Sequence, residues 1–372
     1  MEVSKDFISI AKQTGEDISK IADQYGYLPI QNHQHLLHLG HDYLASKFSY
    51  QMDFDKTMTI PKEDMAIITG FGPTNSPTAG TLSVILKTIA LQKETGVETE
   101  IIISNLGAYM SRNLDWEELD NTTNRFIDFI YSSGFDKTIG KVRSHIDKEN
   151  IGVATFLNEH ILSTEDFESN KEATEELYGA MGLLGDKFGI ITDSSYTVAD
   201  CIKPLFNPDY VKASPHNKEH VLVIAGIEEH YFPQLANIAI PRIIEKFGDK
   251  YISPKASVSA LFTNLISGLY PYPKMSKSIP DSAVNIGDDL ESVRRKIEFS
   301  DPQNDKVVFE MMTQASQWSS DKIRSVIEIY ENRNKNELYW QEIKREYALH
   351  FIEIAKKWHN ACERFPFAKK SI

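Results

Sequence analysis

The sequence predicts an α/β fold: a parallel sheet with a helical insertion, followed by a C-terminal helical domain. Three observations point there. Residues 65–104 read as strand, loop, helix, strand. Two later apolar runs end in polar residues, as strands do at the ligand edge of a parallel sheet. From about residue 288 onward the apolar spacing is helical throughout.

The first unit is the clearest. "MAIITGFG" (65–72) is a short apolar run closing on Gly70 and Gly72, the mark of a buried strand. "PTNSPTAGT" (73–81) carries two prolines and a glycine and reads as a loop. Leu82, Ile85, Leu86 and Ile89 then recur at helical spacing, which predicts a helix over 81–93, and Gly96 stands where a helix stops. "TEIIISN" (99–105) is the next strand. Two strands joined through a helix must run parallel.

Residues 113–188 read as a mostly helical, acidic insertion. "FGIITDSS" (188–195) and "EHVLVIAGIEEH" (219–230) read as two further buried strands. In the tail, Ile343, Tyr347, Phe351, Ile354 and Trp358 form one helical stripe, the core face of a C-terminal helix. The expected division is an N-terminal extension at 1–60, a main domain at 61–287 and a helical domain at 288–372.

Bulk composition narrows the function classes. With 372 residues, 41 % hydrophobic and 25 % charged, the chain has ordinary globular proportions. No apolar run reaches membrane-span length, and the N-terminus lacks a signal-peptide core, so a cytoplasmic protein with no membrane partner is expected. Cys201 and Cys362 are the only cysteines, which excludes a disulfide framework or a CxxC zinc site. A net charge of −13 argues against a generally basic nucleic-acid surface, and no DNA partner is expected; a local basic patch stays possible.

Gly70-Phe71-Gly72 resembles the start of a dinucleotide fingerprint. Asn75 stands where the third glycine belongs, and the next strand ends in Ser104-Asn105 with no acid for a ribose hydroxyl, so a nicotinamide cofactor is disfavoured. The stronger signal is "PKMSKS" (273–278). Lys274 and Lys277 lie three apart, with Met275, Ser276 and Ser278 between and beside them, after prolines 271 and 273. Ammonium groups on a mobile loop can follow charge as it develops on a polyphosphate, with serine hydroxyls as further donors. A solvated basic turn is the plainer alternative.

"KMSKSIPDSAVNIGDD" (274–289) resembles the KMSKS region of the tryptophanyl-tRNA synthetases, a class I aminoacyl-tRNA synthetase family. "GPTNSPTAGT" (72–81) resembles that family's first signature, with Thr78-Ala79-Gly80-Thr81 in register with HIGH. "ISNLGAYMSR" (103–112), "TVADCI" (197–202), "AGIEEHYF" (225–232) and the tail from Glu328 to Ile354 resemble further segments in the same order. The likeness runs loosely from residue 60 to 360. An earlier His38-Leu39-Gly40-His41 also spells the HIGH letters, but it precedes the strand it should follow. Histidines 33, 35, 38 and 41 have a metal-binding alternative; packing or surface roles are the expectation, and no protein metal site is.

The resemblance implies a Rossmann-like, HUP-type catalytic domain and a C-terminal domain that binds tRNA. It implies a tryptophan–tRNA ligase, using ATP with Mg²⁺ carried by the nucleotide, acting as a homodimer. Lys274, Lys277, Thr78 and Thr81 would be catalytic. Gly72, Asn75, Gly80, Gly226, Glu228, Met275, Ser276 and Ser278 would hold ATP. Gly70, Tyr109, Asp200 and Glu229 would hold the amino acid, with Asp200 accepting the indole N–H or, alternatively, serving as a helix N-cap. Basic clusters at Arg294-Arg295-Lys296, Lys344-Arg345 and Lys356-Lys357 would meet tRNA, or form solvated helix faces.

Several positions depart from the family pattern. Thr81 replaces a histidine or asparagine, Glu228-Glu229 replaces Asp-Gln, Asn105 and Gly107 replace Asp and His, and Phe71 replaces an arginine. These departures keep two alternatives open: an adenylate-forming paralogue with another amino acid or acceptor, and a catalytically silent homologue that binds tRNA or a protein.

Overall fold

The computed structural model describes residues 19–30, 35–36, 39–40, 47–73, 76–112, 115–168, 187–207, 218–272, 275 and 279–366. Its centre is a seven-stranded sheet. Five strands are parallel: β5 (Met65–Phe71), β6 (Glu98–Ile103), β7 (Gly140–Ser144), β8 (His220–Ala225) and β9 (Ser257–Thr263). The N-terminal part adds β1 (Leu28–Pro29) and β4 (Phe48–Met52) antiparallel beside β9, so the spatial order is β1-β4-β9-β8-β5-β6-β7. The expected extension is therefore built into the sheet. A separate two-stranded ribbon pairs β2 (His35–Leu36) with β3 (Leu39–Gly40). It holds the middle of the His38–His41 letters outside the main sheet.

Counted by sequence, the parallel strands lie in the order 3-2-1-4-5. The chain steps one way from β5 to β6 and β7, then crosses back to β8 and β9. That reversal opens a crevice between the carboxyl ends of β5 and β8, where ligands bind in such sheets.

Alternation along the strands sends side chains to both faces of the sheet, with Met65, Ile67, Leu222, Ile224 and Leu261 in a cluster of their own. Ala66, Ile68, Val221, Val223, Val258 and Ala260 pack on one face. That face is covered by α4 (Lys148–His160), α6 (Lys187–Ile202) and α7 (Tyr231–Phe247). The opposite face packs on α1 (Ala79–Thr95), α3 (Trp116–Ser132) and the C-terminal helices α8 (Leu290–Ile297), α9 (Asp305–Gln314), α10 (Ser320–Glu331) and α11 (Glu337–Arg364). The stripe Ile343, Tyr347, Phe351, Ile354 and Trp358 is buried there with Leu82, Leu86 and Ile101. The segment from 288 on thus shares one core with the sheet.

Two readings need correction. "FGIITDSS" is helical, inside α6, rather than a strand; an apolar run of four cannot separate the two states by periodicity. The stretch 113–188 contains β7, which pairs with β6 in the main sheet. Its sequence, GKVRS, hides the signal because Arg143 is buried as a partner of Glu100 and the half-exposed Lys141 pairs with the same carboxylate. The helix read over 81–93 extends to Ala79–Thr95, and Gly96 ends it at φ 64°. Such a left-handed stop suits glycine.

Candidate active site

The crevice is built from chain turns. β5 runs out through Gly70-Phe71-Gly72 and the chain then turns to the start of α1. Thr78 is the residue before that helix. Its hydroxyl makes no cap and the first turn holds no acid, so the 17-residue helix presents its amino-terminal N–H groups uncapped by side chains. Gly72 lies 3.9 Å, through an imagined Cβ, from the Cβ of Ala108 on α2 (Asn105–Arg112), and Gly80 lies similarly close to Thr78 Oγ1. Phe71 packs its ring on Phe126 at 5.2 Å. Thr81 is partly exposed on the first turn.

A segment two hundred residues later closes on this turn. Thr78 forms an antiparallel β-bridge with Asn285, and the Ile286 amide donates to Pro77 O at 3.5 Å. At Gly287, any Cβ would stand 2.6 Å from the Cβ of Ser76. Met275 packs on the same core as Ala79 and Leu82. The residues flanking the lysine-serine loop therefore lie against the start of α1. Lys274, Ser276, Lys277 and Ser278 lie outside the described residues, as does Asn75. Asn285 went unnoticed in the sequence. It is buried, and its Oδ1 has no hydrogen-bond partner among the described residues.

Across the crevice, β8 leads to Gly226, which begins a short 3-10 turn over Ile227–Glu229. Ile227 anchors the turn in the core, and the amides of Glu229 and His230 donate to Gly226 O and Ile227 O at 3.0 and 3.1 Å. Gly226 and Glu229 thus stand at the switch point, opposite Gly70. The backbone of Glu228 stands between them.

Asp200 is neither exposed nor at a helix start. It lies near the carboxyl end of α6, where its Oδ1 accepts from Arg143 Nη2 at 2.5 Å and its Oδ2 from His145 Nε2 at 2.9 Å. Arg143 Nε also donates to Glu100 at 2.9 Å, and Lys203 Nζ reaches Glu100 at 3.1 Å. His145 Nδ1 sits 3.2 Å from Ser104 Oγ and 3.4 Å from Asp193 Oδ1. Burial opposes a charge on His145, but Asp200 and Asp193 outweigh it and push its pKa up to about 9. Burial likewise opposes charge on Asp200, yet Arg143 and His145 hold its carboxyl below the ordinary range. Gly107 belongs to this contact: a Cβ there would meet the Asp193 carboxylate at 2.6 Å. That explains glycine at a position where the resemblance leads one to expect histidine. This buried charge network escaped the sequence because its members come from β6, β7 and α6.

Tyr109 lies on α2, 44 % exposed, with its ring T-shaped on Trp116 at 5.3 Å. The basic clusters are largely paired. Lys344 is buried and bonded to Asp305 at 3.2 Å, which removes it from any surface. Arg294 pairs with Glu298, Lys296 with Asp288 and Lys356 with Glu353. Among the described residues no helix is long and apolar enough to cross a membrane.

A family model described as tRNA synthetases class I (W and Y) matches residues 234–365. The tryptophan–tRNA ligase of Methanocaldococcus jannaschii is 26 % identical over 287 residues, covering 76 % of this chain and 71 % of that one. Over these stretches the chain is similar to the class I synthetases for tryptophan and tyrosine, and to tryptophan–tRNA ligases. Solved structures share the synthetase fold. The tryptophanyl-tRNA synthetase of Encephalitozoon cuniculi aligns with a TM-score of 0.68 and 16 % identity, covering 94 % of each chain. A tyrosyl-tRNA synthetase from Archaeoglobus fulgidus aligns with a TM-score of 0.61 and 15 % identity, over 84 % of this chain and 95 % of that one. Both amino-acid specificities thus occur on this synthetase fold. These likenesses support an aminoacyl-tRNA ligase of the class I type.

Proposed function

We propose that this ligase activates tryptophan with ATP and transfers it to the cognate tRNA. The observation that carries the reading is the Thr78–Asn285 bridge, which draws the flank of the lysine-serine loop onto the uncapped start of α1. A triphosphate seated on those N–H groups would lie within reach of a loop at 274–278. The amino acid's carboxylate oxygen attacks the α-phosphorus, the bond to the bridging oxygen breaks, and pyrophosphate leaves. A hydroxyl of the tRNA 3′-terminal ribose then attacks the aminoacyl carbonyl, and AMP departs. No bond to the enzyme forms, so positioning and charge stabilisation do the catalysis.

In this reading Lys274 and Lys277 neutralise the leaving pyrophosphate. Thr78, Thr81, Gly72, Asn75 and Gly80 seat the phosphates, with Met275, Ser276 and Ser278 on the facing loop. Gly226 and Glu228 approach the ribose; Gly70, Tyr109, Asp200 and Glu229 face the amino acid. Mg²⁺ arrives with the nucleotide. Transfer RNA is the macromolecular partner, met by the exposed members of the helical region such as Arg295 and Arg345, and the enzyme works as a homodimer in the cytoplasm.

One observation favours a second reading. Both Asp200 oxygens already accept from Arg143 and His145, so the acceptor expected for an indole N–H is engaged. An adenylate-forming paralogue with a different amino acid or acceptor fits that engagement. Amino-acid-dependent exchange of pyrophosphate into ATP, run with every standard amino acid, tests both. Exchange with tryptophan alone supports the first reading; exchange with another amino acid supports the second; none removes both. Lys274→Ala or Lys277→Ala should raise the activation barrier by about 2–4 kcal/mol, the scale of one lost transition-state contact.

A further inference from the structure

The segment 19–30 contains a structure that the proposed chemistry does not use. Residues 19–25 are helical, Gly26 turns the chain at φ 70°, and Leu28–Pro29 joins the sheet as β1. The turn places two tyrosines on His230. The Tyr27 hydroxyl lies 3.0 Å from His230 Nδ1, both residues being buried. The Tyr25 ring covers His230 at 4.5 Å between centroids, and the Tyr27 ring lies 5.7 Å from it and 4.9 Å from Phe262 on β9. Burial holds His230 neutral at ordinary pH, with its pKa down at about 4. Neutral imidazole donates at one nitrogen and accepts at the other, and the Tyr27 hydroxyl can do either, so the pair shares one hydrogen bond in either tautomer.

His230 is the residue that ends the Gly226–Glu229 turn and begins α7. Ile227 fixes the near end of that turn in the core. The far end is held from outside the parallel sheet, by an N-terminal segment two hundred residues away. We propose that Tyr27 and His230 are positioning residues that brace the Gly226–Glu229 turn against the nucleotide. Tyr25 caps the brace. The role as a nucleotide brace rests on the function proposed above; the mechanical coupling does not.

Tyr27→Phe removes one hydroxyl and keeps the ring packing, so the fold survives it. Amide hydrogen exchange, read across residues 226–234, should show faster exchange in Tyr27→Phe while exchange in the core strands stays close to wild type and the melting temperature falls by only a few degrees. Unchanged exchange there overturns the brace, whatever the ligand. In pyrophosphate exchange, the same variant should raise KM for ATP about fivefold, the scale of one neutral hydrogen bond, with kcat within about twofold. His230→Asn, which keeps an acceptor near the Nδ1 position, should stay close to wild type, whereas His230→Leu should match Tyr27→Phe. Faster exchange at 226–234 with an unaltered KM for ATP overturns the nucleotide role. A wild-type protein that exchanges with no amino acid overturns that role too, through the underlying function, and the wild-type control separates the two failures.

Discussion

His145 places a positive charge where burial alone forbids one. Its pKa rises from 6.5 to about 9 because Asp200 and Asp193 face it. A folded-state pKa above the unfolded value gives stability that is complete below pH 6.5 and lost as pH climbs through about 9. The contribution is roughly 3 kcal/mol, from about 1.4 kcal/mol per pH unit. Urea unfolding across that window should show stability falling, and His145→Gln should flatten the fall. His220 and His230 act oppositely. Burial depresses both to about 4, so their contribution is present above pH 6.5 and lost as pH drops toward 4. Asp200→Asn leaves Arg143 and His145 facing a neutral amide; breaking such a pair costs about 3–5 kcal/mol, measurable as a lower urea midpoint. The same variant reads on specificity: unaltered KM for tryptophan would show Asp200 to be a holder of His145 and not an indole acceptor. None of this network was legible beforehand. Asp200 was noticed by resemblance, but Glu100, Arg143 and His145 carry no local pattern, and only the β6–β7 register brings them together.

At the element scale, the sequence spoke clearly wherever one face of an element is apolar and its ends are marked. β5, α1 and β6 match their observed bounds to within two residues, whereas the strand read over 219–230 ends at Ala225, where Gly226 turns the chain into a 3-10 turn. β7 is hidden because its two charged residues pair with Glu100, and part of α6, residues 188–195, reads as a strand because four apolar or small residues in a row suit either state. The cost of disturbing the hidden strand is high. A Cβ on Gly140 would meet Thr99 O of the neighbouring strand far inside contact distance. Gly140→Ala should lower stability by about 2–4 kcal/mol, read as a drop in melting temperature, because the ladder to β6 must shift. Gly96→Ala, at a left-handed helix stop where a Cβ would meet only the flexible end of Lys62 at 3.7 Å, should cost only about 1 kcal/mol.

Over the whole molecule, the expected boundary near residue 287 does not divide two independent bodies. Trp358, Tyr347 and Met311 pack in one cluster with Leu82, Leu86 and Ile101. Lys47, buried before β4, donates to Thr313 O at 3.0 Å, and Lys87 on α1 bonds Gln314 at 3.1 Å. A chain cut after residue 287 should therefore fail to melt cooperatively in calorimetry, and the intact protein should show one transition. Gly287→Ala should lower pyrophosphate exchange about ten- to a hundredfold, since a shift near 1 Å at a positioning contact is worth that much. An unchanged rate would detach this contact from the chemistry.

The bridge from Thr78 to Asn285 also bears on synthesis. A nascent chain emerging amino end first presents the turn before α1 long before its clasp exists. Until Asn285 has cleared the ribosome, that turn has no lid strand beside it, and a half-made polypeptide has no finished pocket in which to sequester nucleotide.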